Sequence, residues 1–502
     1  MTDNLGATEK ELVENRLLKL ETLRSQGVDP YPSKSGRTKL TTDVRKDKDK
    51  LIADKANVTV AGRLMAKRGH GKLIFGDIED IAGKIQVVFK INILGEKFDQ
   101  ISLFEVGDFI EVSGTVFVTA AGELTVEAEG IKILAKTIRP IPEKWYGIKD
   151  EELRFRKRYL DFILEPEMRD LFIKKAKFWQ SIRGFLVGKG FLEVETPVLE
   201  STAGGADANP FTTHHHAFDM DVYLRISTGE LWQKRLMVAG FEKTFEIGRQ
   251  FRNEGVSREH LQDYSQVEYY WAYADYEDNM KLVCEMYRFV AKETFGTTKF
   301  QINDFGIDLA DDWPRLDYVE TVKEKLNIDV LEAPEDEIRA KLKELKIDFR
   351  SNERRGRLID ALWKHVRKTI AGPAFLINHP VEVSPLAKRK ADDPRLVERF
   401  QPIIAGSEIG NGYSELNDPA DQRVRFEEQA KMRAEGDSEA QMFDGEFVEA
   451  LEYGMPPTTG FGTSERMFAF LAGKTVREAQ IFPLMKPEQS KVAPKMDNEL
   501  SK

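Results

Sequence analysis

Between Thr244 and Tyr273 the chain reads TFEIGRQFRNEGVSREHLQDYSQVEYYWAY, two strand-like runs around a polar loop. Alternation with a period of two puts Phe245, Ile247 and Phe251 on one face and Gly248, Arg252 and Glu254 on the other. On the return run Tyr264, Gln266, Glu268 and Tyr270 share a face. One sheet surface would then carry an arginine, two carboxylates and two tyrosines, with Gly248 leaving room for a ligand. A guanidinium recognises phosphate or carboxylate, and carboxylates accept from amino groups. The bland alternative is a solvated face of an antiparallel pair.

Two other segments carry similar chemistry. GFGTSER reads as a glycine-rich turn opening an apolar helix with Met467, Phe468, Phe470 and Leu471. Gly460 and Gly462 allow close approach, and Arg466 falls in the first helical turn, an arrangement that suits phosphate. The pattern matches neither a Walker loop nor a Rossmann fingerprint. In EIGNGYSEL, Asn411, Tyr413 and Glu415 share one parity, Gly410 and Gly412 the other, and Glu408 starts the strand. Such a strand makes a poor core and a good binding floor. His214, His215 and His216 would point to alternate faces and chelate poorly together.

These segments need a large scaffold, and 502 residues allow two or three domains. An apolar fraction of 41% fits a folded soluble protein. No apolar run is long enough to cross a membrane, the single cysteine Cys284 excludes an internal disulfide, and no targeting segment is evident, so the expected compartment is the cytoplasm. The net charge of −10 hides two basic stretches. Residues 34–50 and 55–90 each hold seven Lys/Arg against three acids, so a polyanion could bind at that end.

Residues 8–26 read as a helix that Gly27 and Pro30 end, and 31–50 as an exposed linker, giving an N-terminal helix and basic linker over 1–54. Five short strands, VTVAGRL, KLIFGDIED, KIQVVFK, DFIEVSGTVFV and ELTVEAEGIKIL, suggest an OB-fold barrel within 55–137. On it Phe75 and Gln86 would face outward and Glu123 opens the fifth strand. OB folds bind single-stranded nucleic acid by stacking, but also sugars and proteins. A connector follows over 138–158, then one α/β (α+β) body over 159–502 with a helical insertion at about 310–370.

In this order, FLEVETPVL, FRNEGVSREHLQDY and GFGTSER resemble the three signature motifs of class II aminoacyl-tRNA synthetases. GELWQKRL, EYYWAYADY, HPVEVSPLAKR, EIGNGYSELNDP, GMPPTTGFG and IFPLMKP narrow the resemblance to lysyl-tRNA synthetases over roughly residues 55–488. The resemblance implies an antiparallel sheet flanked by helices, behind an N-terminal OB-fold barrel, in a homodimer built through FLEVETPVL. It implies activation of L-lysine by ATP with Mg2+, then transfer of lysine to the 3′ end of tRNA(Lys). Arg252 and Arg466 would be catalytic. Arg252 would hold the α-phosphate and the substrate carboxylate, Glu254 and Tyr264 the adenine, and His260 and Arg466 the outer phosphates. Glu408 would hold the metal. Lysine would lie among Gly204, Glu230, Arg252, Glu268, Tyr270, Asn411, Tyr413 and Glu415. Phe75, Gln86 and Glu123 would read the anticodon.

The chain departs from that pattern at a few positions. Gln401 stands where a second acidic metal ligand is usual, Glu259 where a basic residue is usual (with Arg258 adjacent), and Asn209 where arginine is common. Thr463, Ser464 and Glu465 replace a glycine-apolar-acid run. These changes bear on the outer phosphates and the ion count. Lysylation of a protein acceptor is opposed by the barrel, and a silent RNA-binding role by the intact Arg252, Glu254, Arg466 and Glu415.

Overall fold

The structure is a computed structural model that describes residues 7–69, 71–142, 150–165, 167–255, 257–351, 353–437 and 439–487. It divides into two compact units, Met1–Glu151 and Glu152–Lys502. Part of the expected connector, residues 143–149, lies outside the described residues, as do the first six and the last fifteen positions.

In the first unit, β1 (Asn57–Arg68), β2 (Leu73–Asp80), β3 (Gly83–Lys90), β4 (Phe109–Val118) and β5 (Leu124–Ala135) close a barrel in the order β1-β2-β3-β5-β4. Alternate residues such as Val58, Val60, Ile110, Val112 and Val126 fill its interior. The linker expected over 31–50 is corrected here. Thr41–Lys46 and Lys48–Ala53 are short helices, and their Val44 and Leu51 join the barrel core with Leu23 of the helix Ala7–Ser25. Thr41 donates to Asp80 from its backbone nitrogen at 2.9 Å and its hydroxyl at 2.7 Å. Two apolar anchors among many lysines gave too sparse a periodicity to announce helices.

The second unit is built on a nine-stranded sheet. Its strands are β6 (Leu192–Glu193), β7 (Lys243–Phe251), β8 (Asp263–Ala272), β9 (Arg315–Asp317), β10 (Ala374–Pro380), β11 (Leu396–Ile404), β12 (Ser407–Glu408), β13 (Asn411–Ser414) and β14 (Thr458–Ser464). They run β9-β10-β11-β13-β14-β8-β7-β6, with β12 pairing β11. Pairing is antiparallel except at the two edges, β9 on β10 and β6 on β7. The expected α+β class with an antiparallel sheet and flanking helices is therefore observed. The strand β11 was not anticipated, because LVERFQPII mixes charge and proline into its apolar run.

One face of the sheet is aromatic. Phe400 of β11 stacks on Phe461 of β14 at 5.7 Å, and Tyr269 of β8 lies 5.7 Å from Phe461. The helix Tyr276–Phe295 covers this face with Val283, Tyr287 and Val290. Asp275 caps that helix by accepting from the nitrogens of Glu277 and Asp278, and Gly296 ends it at φ +74°. Three further helices, Tyr318–Leu326, Glu335–Glu344 and Arg355–Val366, form a separate core that includes Leu376 and Ile403 of the sheet.

The other face is polar, and β14 runs through its middle. The glycine-rich turn expected at GFGTSER is corrected: Gly460 and Gly462 are central strand residues, and the helix begins only at Arg466. Gly460 pairs with Tyr413 on one side and Tyr270 on the other, and Gly462 with Asn411 and Glu268. A Cβ at Gly460 would run into Glu415 and lie 2.6 Å from Tyr270 Cε1, whereas one at Gly462 would lie 3.2 Å from Glu268 Cγ. Gly460→Ala is therefore expected to cost about 1–3 kcal/mol, and Gly462→Ala less. Urea unfolding of the two variants measures the difference.

Candidate functional site

A cavity of about 340 Å³ opens on the polar face. Strand β8 lines it with Tyr264, Gln266, Glu268 and Tyr270, the four residues that alternation placed together. Asn411, Tyr413 and Glu415 line it from β13 and beyond, with Glu230, Arg252, His260, Gln401, Glu408 and Arg466. Glu254 and Gly204 do not line it, although Gly205 does. Burial raises the Glu254 carboxyl despite Arg252 nearby, and Gly204 accepts from the Ser227 hydroxyl at 3.1 Å.

The glycines play other parts than expected. A Cβ at Gly248 would overlap the Arg225 guanidinium, so that space belongs to Arg225 and not to a ligand. Arg225 forms a buried pair with Glu246 at 2.6 Å, and Glu246 also accepts from the Thr196 hydroxyl at 2.6 Å. Gly410 and Gly412 make room for Phe461 and Phe400 on the core side.

At one end of the cavity stand three carboxylates. Glu268 Oε1 accepts from the Thr228 nitrogen at 2.8 Å and the Gln266 amide at 2.6 Å, and Oε2 from the Tyr270 hydroxyl at 3.1 Å. Glu230 accepts from the Tyr413 hydroxyl. Lys234, missed in the sequence, puts its ammonium 2.8 Å from Glu230 and 2.5 Å from Glu415. Its signal was the four-residue spacing from Glu230 within GELWQKRL, one helical turn. Burial raises the carboxyls of Glu268 and Glu415, and Glu230 adds to both. A cation that arrives beside either one favours its ionised form.

Elsewhere the cavity is set for anions. Arg252 follows the end of β7, where its Nε donates to the Ile226 carbonyl at 3.2 Å and its guanidinium lies 5.8 Å from the Tyr264 ring centre. No carboxylate lies within ion-pair distance of it among the described residues. Arg466 donates to the Glu408 carbonyl and lies 3.4 Å from Glu259, which accepts from Ser407 at 2.7 Å. The departure at Glu259 therefore supplies a partner for Arg466. Arg399, on the unanticipated β11, holds Asn411 Oδ1 at 2.8 Å. Glu465 is buried and ion-paired to Lys175.

Glu408 Oε1 accepts from the Trp363 indole at 2.7 Å and Oε2 from the Gln401 amide at 3.2 Å. A carboxylate only accepts, so Gln401 must offer its nitrogen there. Its oxygen then faces His379 Nε2 at 2.9 Å. Gln401 thus steadies Glu408 and turns its own oxygen elsewhere.

The chain matches two family models. One, tRNA synthetases class II (D, K and N), covers residues 150–486. The other, OB-fold nucleic acid binding domain, covers residues 58–134. It is 45% identical over 490 residues to a lysine–tRNA ligase of Thermotoga maritima, covering 96% of this chain and 97% of that protein. The chain belongs to the class II lysine–tRNA ligase family. Its likeness to a lysine–tRNA ligase of Clostridium perfringens, 43% over 498 residues, spans 97% of the chain and 99% of the relative. The family uses ATP, generally with Mg2+. A raised carboxyl pairs with an ammonium group only when it is ionised. Lysine KM is therefore expected to fall as pH rises from 6 to 8, by at most about tenfold per unit for each proton lost. ATP KM should move much less, and steady-state ATP–pyrophosphate exchange across that range separates the two.

Proposed function

We propose that the residues lining this cavity activate L-lysine with ATP and pass it to tRNA(Lys). The observation that carries the reading is a single cavity with guanidinium groups over one part and a carboxylate cluster over another. Lysine needs both, since it brings a carboxylate and two ammonium groups.

Arg252 and Arg466 are the catalytic residues of this reading. Arg252 draws the substrate carboxylate and the α-phosphate together, which supplies positioning and charge neutralisation in place of a protein nucleophile. The carboxylate oxygen attacks the α-phosphorus in line and pyrophosphate leaves. Arg466 and His260 receive the outer phosphates, once Arg466 exchanges Glu259 for phosphate. Tyr264 stacks on the adenine, and Glu254 accepts from its amino group. The terminal 3′-hydroxyl of the tRNA then attacks the acyl carbon, and AMP departs.

Lysine recognition falls to the other end. Glu415 and Glu268, with the Tyr270 hydroxyl, hold the ε-ammonium. Tyr413 flanks the aliphatic stem. Glu230 and the Gly204 backbone hold the α-ammonium, and Asn411, steadied by Arg399, holds the carboxylate.

Glu408 would hold Mg2+. One carboxylate fits an ion that keeps its waters and shares substrate phosphates. Gln401 does not fit as a second ligand, because its oxygen is turned to His379. When bound, the ion neutralises charge on the outer phosphates.

The barrel suits the anticodon of tRNA. Gln86 lies directly across from Asp77 on β2, two residues along from the half-buried Phe75. Thr125 of β5 donates to Gln86 Oε1 at 2.9 Å, and the exposed Glu123 immediately precedes that strand. An aromatic ring beside an amide suits a stacked and hydrogen-bonded base.

A homodimer through the region of FLEVETPVL is supported by exposed apolar side chains there. Leu192, Val198 and Leu199 are exposed, as are Met220 on the strand Met220–Leu224 that pairs with Leu199 and Phe218 in the turn before it. The free thiol of Cys284 suits the cytoplasm, where tRNA is charged.

Glu415→Gln should lower kcat/KM for lysine in ATP–pyrophosphate exchange by about 100-fold, since a buried ion pair loses one partner. An unchanged value removes Glu415 from the lysine site, and absence of lysine-dependent exchange in the parent removes the whole reading. Phe75→Ala should leave that exchange intact while tRNA charging loses roughly tenfold in kcat/KM. Equal charging by parent and variant counts against anticodon stacking on Phe75.

A further inference from the structure

A lysine side chain of the protein occupies the seat beside the carboxylates that the substrate ammonium would seek. Lys234 is 1% exposed. Its ammonium lies 2.8 Å from Glu230 and 2.5 Å from Glu415. Three rings wall it in, Tyr413 at 5.4 Å, Tyr270 at 5.9 Å and Phe447 at 6.0 Å from their centres. Burial alone would pull its pKa down, but Glu230 and Glu415 outweigh that and raise it, so the group stays charged. The cavity is thus balanced by a cation of its own before any ligand arrives.

We infer that Lys234 is a specificity-determining residue of the amino-acid pocket, setting its charge balance to suit a substrate with two ammonium groups. The inference rests on the lysine pocket proposed above. Three carboxylates, Glu230, Glu268 and Glu415, stand against the single ammonium of Lys234. Once Glu268 and Glu415 are ionised, two negative charges remain, and lysine brings two ammonium groups while its carboxylate goes to Arg252. An amino acid with one ammonium leaves a buried carboxylate unpaired, which is costly. Without Lys234, three carboxylates would face one another under Tyr270 and Tyr413, and one would take up a proton instead of a ligand. Lys234 also holds Glu230 and Glu415 at fixed positions, so it determines how far along the pocket the substrate ammonium is read. It acts through those two carboxylates and is a positioning residue in that sense.

The test compares parent, Lys234→Met and Lys234→Ala in lysine-dependent ATP–pyrophosphate exchange, with thermal unfolding to confirm that each variant folds. Lysine-dependent exchange in the parent tests the pocket reading separately. Given that activity, Lys234→Met should lose about 10- to 100-fold in kcat/KM for lysine, carried in KM, with ATP KM changed less than threefold. The acid limb of its pH profile should move to higher pH, because the carboxylates lose their cation. Lys234→Ala leaves an apolar slot, which n-propylammonium should fill and which n-butanol fills without charge. Restoration of lysine KM by the amine and not by the alcohol supports the inference. Unchanged lysine KM and pH profile in folded Lys234→Met, or equal rescue by alcohol and amine, overturns it.

Discussion

The catalytic body depends on an asymmetry within one strand. In β14 Phe461 points into the aromatic core, while Gly460 and Gly462 on either side point at the cavity with no side chain. The strand is therefore anchored by one face and empty on the other. Its neighbours β13 and β8 carry the large side chains, so Tyr413 and Tyr270, then Asn411 and Glu268, flank a bare lane. Any Cβ in that lane would meet the side chains that give the cavity its chemistry. Glycine in a central strand is ordinarily a weakness. Here the aromatic packing of Phe461 against Phe400, Tyr269 and Tyr287 offsets it.

Buried charge is the second constraint. Glu230, Lys234, Glu268 and Glu415 are all nearly inaccessible, and each is held by a named partner. Tyrosine hydroxyls, a backbone nitrogen and an amide satisfy both oxygens of Glu268 and one of Glu230, and Lys234 pairs with Glu415. The helices Glu230–Val238 and Gly445–Glu452 cover it with Leu231, Met237, Phe447 and Val448. That burial is what raises the carboxyls of Glu268 and Glu415. At the guanidinium end the logic is reversed. Among the described residues no carboxylate pairs with Arg252, and Arg466 is held by Glu259 at 3.4 Å.

The barrel needs no such tension. Its interior is apolar, and its outer face presents the half-buried Phe75 and, on the adjacent strand across from Asp77, Gln86.

Much of this was legible in the sequence. Alternation in TFEIGRQF and DYSQVEYYWA, and in EIGNGYSEL, identified the residues of β8 and β13 that face the cavity. The order of three motifs identified the family. The five barrel strands were readable because each alternates about a short turn. A period-two pattern states which side of a strand a residue occupies, and nothing more. It does not state what lies opposite. Hence alternation gave Gly248 to a ligand, when the Arg225 guanidinium fills that space. GFGTSER looked like a turn because glycine propensity is local, while strand pairing on both sides overrides it. Lys234 was one charged residue in a helix until the fold set Glu415, 181 positions further along the chain, against it. Residue types and their facing are local properties and survive in the sequence. Which charges meet, which glycine yields space to which side chain, and which carboxylate is raised by burial depend on contacts between distant segments, and only the tertiary structure decides them.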